Sequence, residues 1–253
     1  MNPEKLHRFR GKWYGKNNIA IVIVGNLGFD RVRGIVDSVL PLAPDVDASP
    51  VVLSKFHATE PKYSFETDRF DQAAFGMIQK WPSAKEIFKN RYVANFFSSA
   101  LSKYMFEYIR DDLGLCYGVW NQRFRHFDNS NMIVAMLTNT TYLEKAEAEL
   151  DSLFNKIKAE GFPAEIFEIS KKQLTYNQVK TLDNVHGVAS SVVGGILSST
   201  EKGWFLNEGC RVLDPVWLKG VAAHLTQDDL KQFANDHLNG FTKFAMVSTK
   251  AEK

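Results

Sequence analysis

A chain of 253 residues with 45% hydrophobic content can bury one substantial core and lies at the top of the usual single-domain range, so one compact domain over residues 1–253 is expected. Its net charge of +2 is spread without blocks of like sign, which argues against nucleic acid as a partner. The longest apolar runs, Ile19 to Val24 and Met132 to Leu137, are of strand length and too short to span a bilayer. A soluble protein with no membrane partner is expected. The opening Met-Asn-Pro-Glu-Lys-Leu-His-Arg has no apolar stretch after its basic residues and does not read as a secretory signal.

Residues Asn18 to Gly25 read as a buried strand. Phe29 to Leu40 then place Val32, Ile35, Val36, Val39 and Leu40 on one helical face before Pro41 stops the helix. The intervening Gly25-Asn26-Leu27-Gly28 lacks both the G-x-G-x-x-G fingerprint and a lysine for a phosphate, so it reads as a turn with Asp30 near the helix start. After a Pro- and Asp-rich connector, strands are expected at Val51 to Phe56 and, beyond a polar bend, at Gln72 to Trp81. From Ser83 to Arg110, Ile87, Val93, Phe96, Phe97, Ala100, Leu101, Tyr104, Met105 and Ile109 recur at three- and four-residue intervals, the stripe of one long buried helix.

Gly114 marks the stop of that helix. Cys116 to Phe127 and Asn131 to Thr138 read as a β-hairpin turning at Asp128-Asn129-Ser130. Thr140 or Thr141 is expected to cap a helix whose Leu143, Ala146, Leu150, Leu153, Phe154 and Ile157 face the core, with Gly161-Phe162-Pro163 closing it. Further helices are read at Ala164 to about Lys180, Val185 to Ser198 and Pro215 to His224. Thr226-Gln227-Asp228-Asp229 looks like a capping box opening one more, and Phe244 to Ser248 finishes as a strand. This order describes an α+β fold, a mixed β-sheet with helices packed on one face.

Candidate chemistry is sparse. Cys116 and Cys210 lack metal-ligand spacing and read as packing thiols. The histidines, at positions 7, 57, 126, 186, 224 and 237, never pair at the three-to-five-residue spacing of a zinc helix, and no serine sits in a G-x-S-x-G context. The stretch Tyr108-Ile109-Arg110-Asp111-Asp112-Leu113-Gly114-Leu115-Cys116-Tyr117 is different: it sets an arginine and a tyrosine seven positions apart across a helix-to-strand turn.

That stretch resembles the L-R-x-x-x-G-L-x-Y pattern of the pitrilysin, insulin-degrading-enzyme and mitochondrial-processing-peptidase family of zinc metallopeptidases, in the half of the enzyme that does not hold the metal. Supporting likeness runs over about residues 9 to 249. Asn18, Gly25 and Leu42-Ala43-Pro44 fit the family's junction, Ala100 to Arg110 fit its helix, and Leu225-Thr226-Gln227-Asp228-Asp229 resembles its "l-T-x-e-d-i". The H-x-x-E-H zinc motif is missing from this sequence.

The resemblance implies a metallopeptidase-half fold and no cofactor in this chain. It further implies zinc in an H-x-x-E-H-bearing partner half, a peptide substrate, and Arg110 and Tyr117 meeting the substrate carbonyl. Alone, such a chain would be inactive. Arg123 and Arg125 share one face of the hairpin strand and could line a chamber for acidic groups, or form a solvated face. For Arg110 the competing reading is a cation favoured by the helix C-terminus; for Tyr117 it is simple packing. The alternative for the whole chain is a catalytically silent peptide-binding or architectural relative.

Overall fold

The computed structural model describes residues 2–46, 62–82, 91–124, 130–198 and 215–249. The expected strand at 51–56, the start of the long helix at 83–90, the hairpin turn, Arg125 and Cys210 lie outside the described residues.

Helix α1 (Pro3–Trp13) is capped by the Asn2 side chain, which accepts from Lys5 N at 2.9 Å, with proline in its first turn. Sequence reasoning passed over it. Helix α2 (Phe29–Val39) ends where Pro41 was expected to end it. Residues 19–24 correct the expected buried strand. Ile19 has extended backbone, φ −121° and ψ 135°, yet no described strand pairs with the segment, and Ile19, Ile21 and Ile23 are about half exposed. An alternating apolar run sets a periodicity but not a partner.

The sheet has five strands in the order β1-β5-β2-β4-β3. These are β1 (Lys62–Thr67), β2 (Ala73–Trp81), β3 (Gly118–Phe124), β4 (Ser130–Thr138) and β5 (Thr242–Ser248). β1 runs parallel to β5 and the other pairings are antiparallel, so the sheet is mixed as expected. β1 falls where the sequence suggested only a polar bend. Its Lys-Tyr-Ser-Phe-Glu-Thr composition suits an edge strand with little burial.

Alternation gives the sheet two unlike faces. Phe75, Met77, Trp81, Met132, Val134, Met136 and Ala245 point into the core, whereas Ala74, Ile78, Ile133 and Ala135 on the other face are only half covered. The covered face meets α3 (Arg91–Met105), α4 (Leu143–Glu160), α5 (Ala164–Leu182) and α8 (Gln227–His237); α6 (Val185–Ser198) and α7 (Pro215–His224) extend the helical layer beside α5. Trp81, Phe97 and Phe233 interlock with ring centroids 5.1–6.2 Å apart, joining β2, α3 and α8.

All six residues assigned to the inner face of α4 are buried. Its entry differs from expectation: Asn139, rather than a threonine, accepts from Thr141 N at 3.0 Å, and a single 3₁₀ turn (Thr140–Tyr142) precedes the helix. The Thr226–Asp229 capping box is present.

Opposite charges tie α4 to the sheet edge. Glu147, on α4, takes Lys62 of β1 at 2.6 Å and Lys243 of β5 at 3.1 Å, and Asp151 holds Lys243 at 2.6 Å. Burial opposes the Glu147 charge, but the two lysines outweigh it and hold the carboxyl below its ordinary 4.5. For Lys243, burial is likewise outweighed by Asp151 and Glu147, which hold it above 10.5. The Glu147 contribution is therefore present above pH 4.5 and is lost as pH falls through the depressed value; that of Lys243 is present below pH 10.5 and is lost as pH rises through the raised one. Glu147→Gln should lower stability by about 1 kcal/mol at neutral pH. Urea unfolding of both proteins should show the gap closing below the depressed Glu147 value, and a gap that persists unchanged there would exclude the ion pairs as its source.

Candidate functional site

Arg110 sits where α3 changes character. The stripe from Phe96 to Ile109 is buried as expected, but Phe106–Asp112 widen into π-helical turns. Leu113 N bonds Tyr108 O at 3.1 Å, Gly114 N bonds Arg110 O at 3.1 Å and Leu115 N reaches Ile109 O at 3.0 Å. Widened turns of this kind re-aim the side chains they carry. Ile109 remains fully buried while Arg110, its neighbour, is on the surface. Gly114, at φ +62°, then turns the chain toward the sheet, a conformation that side-chain-bearing residues avoid.

Tyr117 is gripped through its backbone. Its N–H donates to Leu137 O of β4 at 2.8 Å, and its carbonyl accepts from Arg110 Nε at 3.0 Å. The ring is 60% exposed, and its hydroxyl has no hydrogen-bond partner among the described residues. The Arg110 guanidinium also contacts Asp111 Oδ1 at 3.2 Å and lies 4.5 Å from the centre of the Phe106 ring. The structure thus joins the two residues singled out in the sequence through the Tyr117 backbone, with both residues exposed.

Cys116 between them is half-buried against the core. Burial pushes its thiol above 9.0 and the Arg110 charge only partly offsets that, which suits the expected packing thiol. Arg123 is half-buried on β3, where its Nη1 donates to Asn95 Oδ1 at 2.7 Å and Ala94 O at 3.3 Å. It is therefore held against α3.

Sequence reasoning missed Phe106, the platform under Arg110, and a polar stripe on α3. Asn121 of β3 donates to Ser98 O at 2.8 Å and to Ser102 Oγ at 2.7 Å. The signal was available in the helical spacing of Asn95, Ser98, Ser102 and Phe106. Among the described residues no three His, Cys, Asp or Glu side chains come together as metal ligands, so those residues do not fit a zinc site. The His237 ring packs 4.4 Å from Phe233 and belongs to the aromatic cluster. No helix among them is long and apolar enough to cross a membrane.

The family model for the peptidase M16 inactive domain matches residues 1–174. The chain belongs to that family. Solved structures with the M16 fold agree over its full length. A peptidase M16 inactive domain from Pseudomonas fluorescens superposes with a TM-score of 0.76 at 16% identity, covering 100% of this chain and 59% of that one. A protease from Helicobacter pylori gives 0.75 at 14% identity, covering 99% and 60%. A component of complex III2 from Candida albicans gives 0.67 at 12%, covering 98% and 59%. The M16 domain seen here therefore spans about three-fifths of these relatives.

Gly114 fixes the path between the two residues of interest. A Cβ there would meet nothing within 4 Å among the described residues, so Gly114→Ala isolates the backbone strain, roughly 1–2 kcal/mol. Denaturant midpoints should show that loss, with Gly114→Asn milder because asparagine tolerates the left-handed region. Equal stability of all three proteins would mean that the positive φ is not enforced.

Proposed function

We propose that this M16 domain is the non-metal half of a zinc metallopeptidase, closing a peptide chamber and presenting Arg110 and Tyr117 to the carbonyl of the scissile bond. The observation that carries this reading is the bond from the exposed Arg110 guanidinium to the backbone carbonyl of Tyr117, a residue that is itself 60% exposed. The partner is an H-x-x-E-H-bearing half, separate or in the same longer polypeptide. Zinc bound there supplies an activated water.

Attack on the scissile carbonyl would leave its oxygen anionic. A charged, forked donor and a neutral phenol already aimed at it bind the transition state more tightly than the substrate. Arg110 is pre-positioned by Phe106 beneath it and by the Tyr117 carbonyl, so little side-chain freedom is lost at the moment of reaction. The Tyr117 carbonyl in turn fixes the strand from which the phenol projects. On this account the chain alone is inactive, because the zinc and its activated water belong to the partner half.

A silent, architectural role is favoured by one observation: the Arg110 guanidinium already has local partners in Tyr117 O, Asp111 and Phe106. Kinetics separate the two. With the H-x-x-E-H half present, Tyr117→Phe should lower kcat by about 10²-fold and Arg110→Ala by at least as much, with KM changed far less. Steady-state assays with zinc content checked would measure this. Near-full kcat in both variants, with assembly intact, would leave the architectural role standing.

A further inference from the structure

Arg110 projects from the widened turns Phe106–Asp112. A π-helical bond joins residues five apart and is rarely sustained beyond a single turn, so the angle at which each side chain leaves the axis has to be held by contacts made outside the ladder. Two residues next to Arg110 make such contacts. Ile109 is fully buried. Tyr108, half-buried against the core, donates its hydroxyl to Glu149 Oε2 of α4 at 3.0 Å. That carboxylate is the first reason, ahead of burial, that the phenol is held above its ordinary 10.0. Tyr108 therefore stays a donor at neutral pH, and its bond to a charged acceptor is of the stronger kind.

The same residue is tied into the turn by its backbone, where Tyr108 O accepts from Leu113 N at 3.1 Å. A buried hydrocarbon side chain fixes depth but has no directional contact, so Ile109 by itself leaves the helix end free to rock about it. Successive helical residues leave the axis roughly 100° apart, which puts Tyr108 and Arg110 on either side of Ile109. A bond that stops the first from swinging stops the second. We propose that Tyr108, through its bond to Glu149, is a positioning residue for Arg110. It sets the angle at which the guanidinium meets the Tyr117 carbonyl, and so where that donor is presented. The placement is a property of the chain alone, whereas its consequence for a reaction rests on the function proposed above.

Proton exchange at Arg110 Nε, followed by NMR in the chain alone, reads the placement directly. Tyr108→Phe keeps the ring and removes the donor. It should speed exchange of the Nε proton at least about tenfold, while the buried amides of Leu101 and Met105 in α3 keep their protection. Glu149→Ala should do the same, Glu149→Gln should restore most of the protection because its carbonyl still accepts, and the Tyr108→Phe/Glu149→Ala pair should lose no more than either change alone. An Nε proton indifferent to Tyr108→Phe, or one whose loss is matched at Leu101 and Met105, would overturn the proposal.

With the H-x-x-E-H half present, Tyr108→Phe should lower kcat about tenfold with KM changed less than about twofold, and should cost nothing further once Arg110 is alanine. A loss that persists in the Arg110→Ala background would contradict action through Arg110. Faster Nε exchange with full kcat in both Tyr108→Phe and Arg110→Ala would sink the transition-state role and spare the positioning. Unchanged exchange together with a damaged Arg110→Ala enzyme would sink the positioning and spare the role.

Discussion

The hydrogen bond from Arg110 Nε to the Tyr117 carbonyl is the contact on which this surface depends. It closes a seven-residue passage from the end of α3 to the sheet, and each part of that passage is fixed by something else. Ile109 anchors the helix end in the core, Gly114 supplies the one left-handed residue of the turn, and Leu137 holds Tyr117 against β4. Thr138 Oγ1 adds a bond to Leu115 O at 2.5 Å. With the backbone so determined, an arginine and a tyrosine are both exposed at a fixed place on the chain, and fixed placement is what the proposed donor role requires.

The remainder of the fold serves that rigidity. The Trp81–Phe97–Phe233 cluster locks α3 to β2 and α8, so α3 can end in widened turns without losing its seat. The same helix carries two stripes. Its apolar side closes the core, while Asn95, Ser98 and Ser102 face β3 and α5 across a polar cleft. Burying an uncompensated polar group there would be costly, and Asn121 meets that requirement by satisfying Ser98 and Ser102 together.

Much of this was legible in the sequence because the α-helical period is long and redundant. Six apolar positions place α4 unambiguously, and Thr226 followed by Asp229 announces its helix by a local hydrogen-bond exchange. Gly114 could be read as a stop for the same local reason. What failed was information held elsewhere in the chain. Residues 19–24 look like a buried strand, but burial depends on a partner that the segment does not encode. Lys62–Thr67 look like a bend because an edge strand needs few apolar residues once β5 offers it a ladder. The π-helical widening has no composition signal, so the sequence gives the seven-residue spacing of Arg110 and Tyr117 but not the backbone grip that unites them.

The spacing was informative only through resemblance, since an arginine at a helix end and a tyrosine near a strand are each unremarkable by themselves. Membership of the M16 inactive-domain family and the full-length fold match support that resemblance; the role of the pair rests on the geometry of an open donor surface. Its most direct test is proximity to substrate. With Tyr117 replaced by photoreactive benzoylphenylalanine, the chain would be assembled with an H-x-x-E-H half whose general-base glutamate is replaced so that peptide binds uncut, then irradiated. The account predicts a peptide cross-link from position 117 and none from the same group placed at the exposed Gln232 of α8. Equal labelling from the two positions, or none from 117 while peptide is bound, would contradict it.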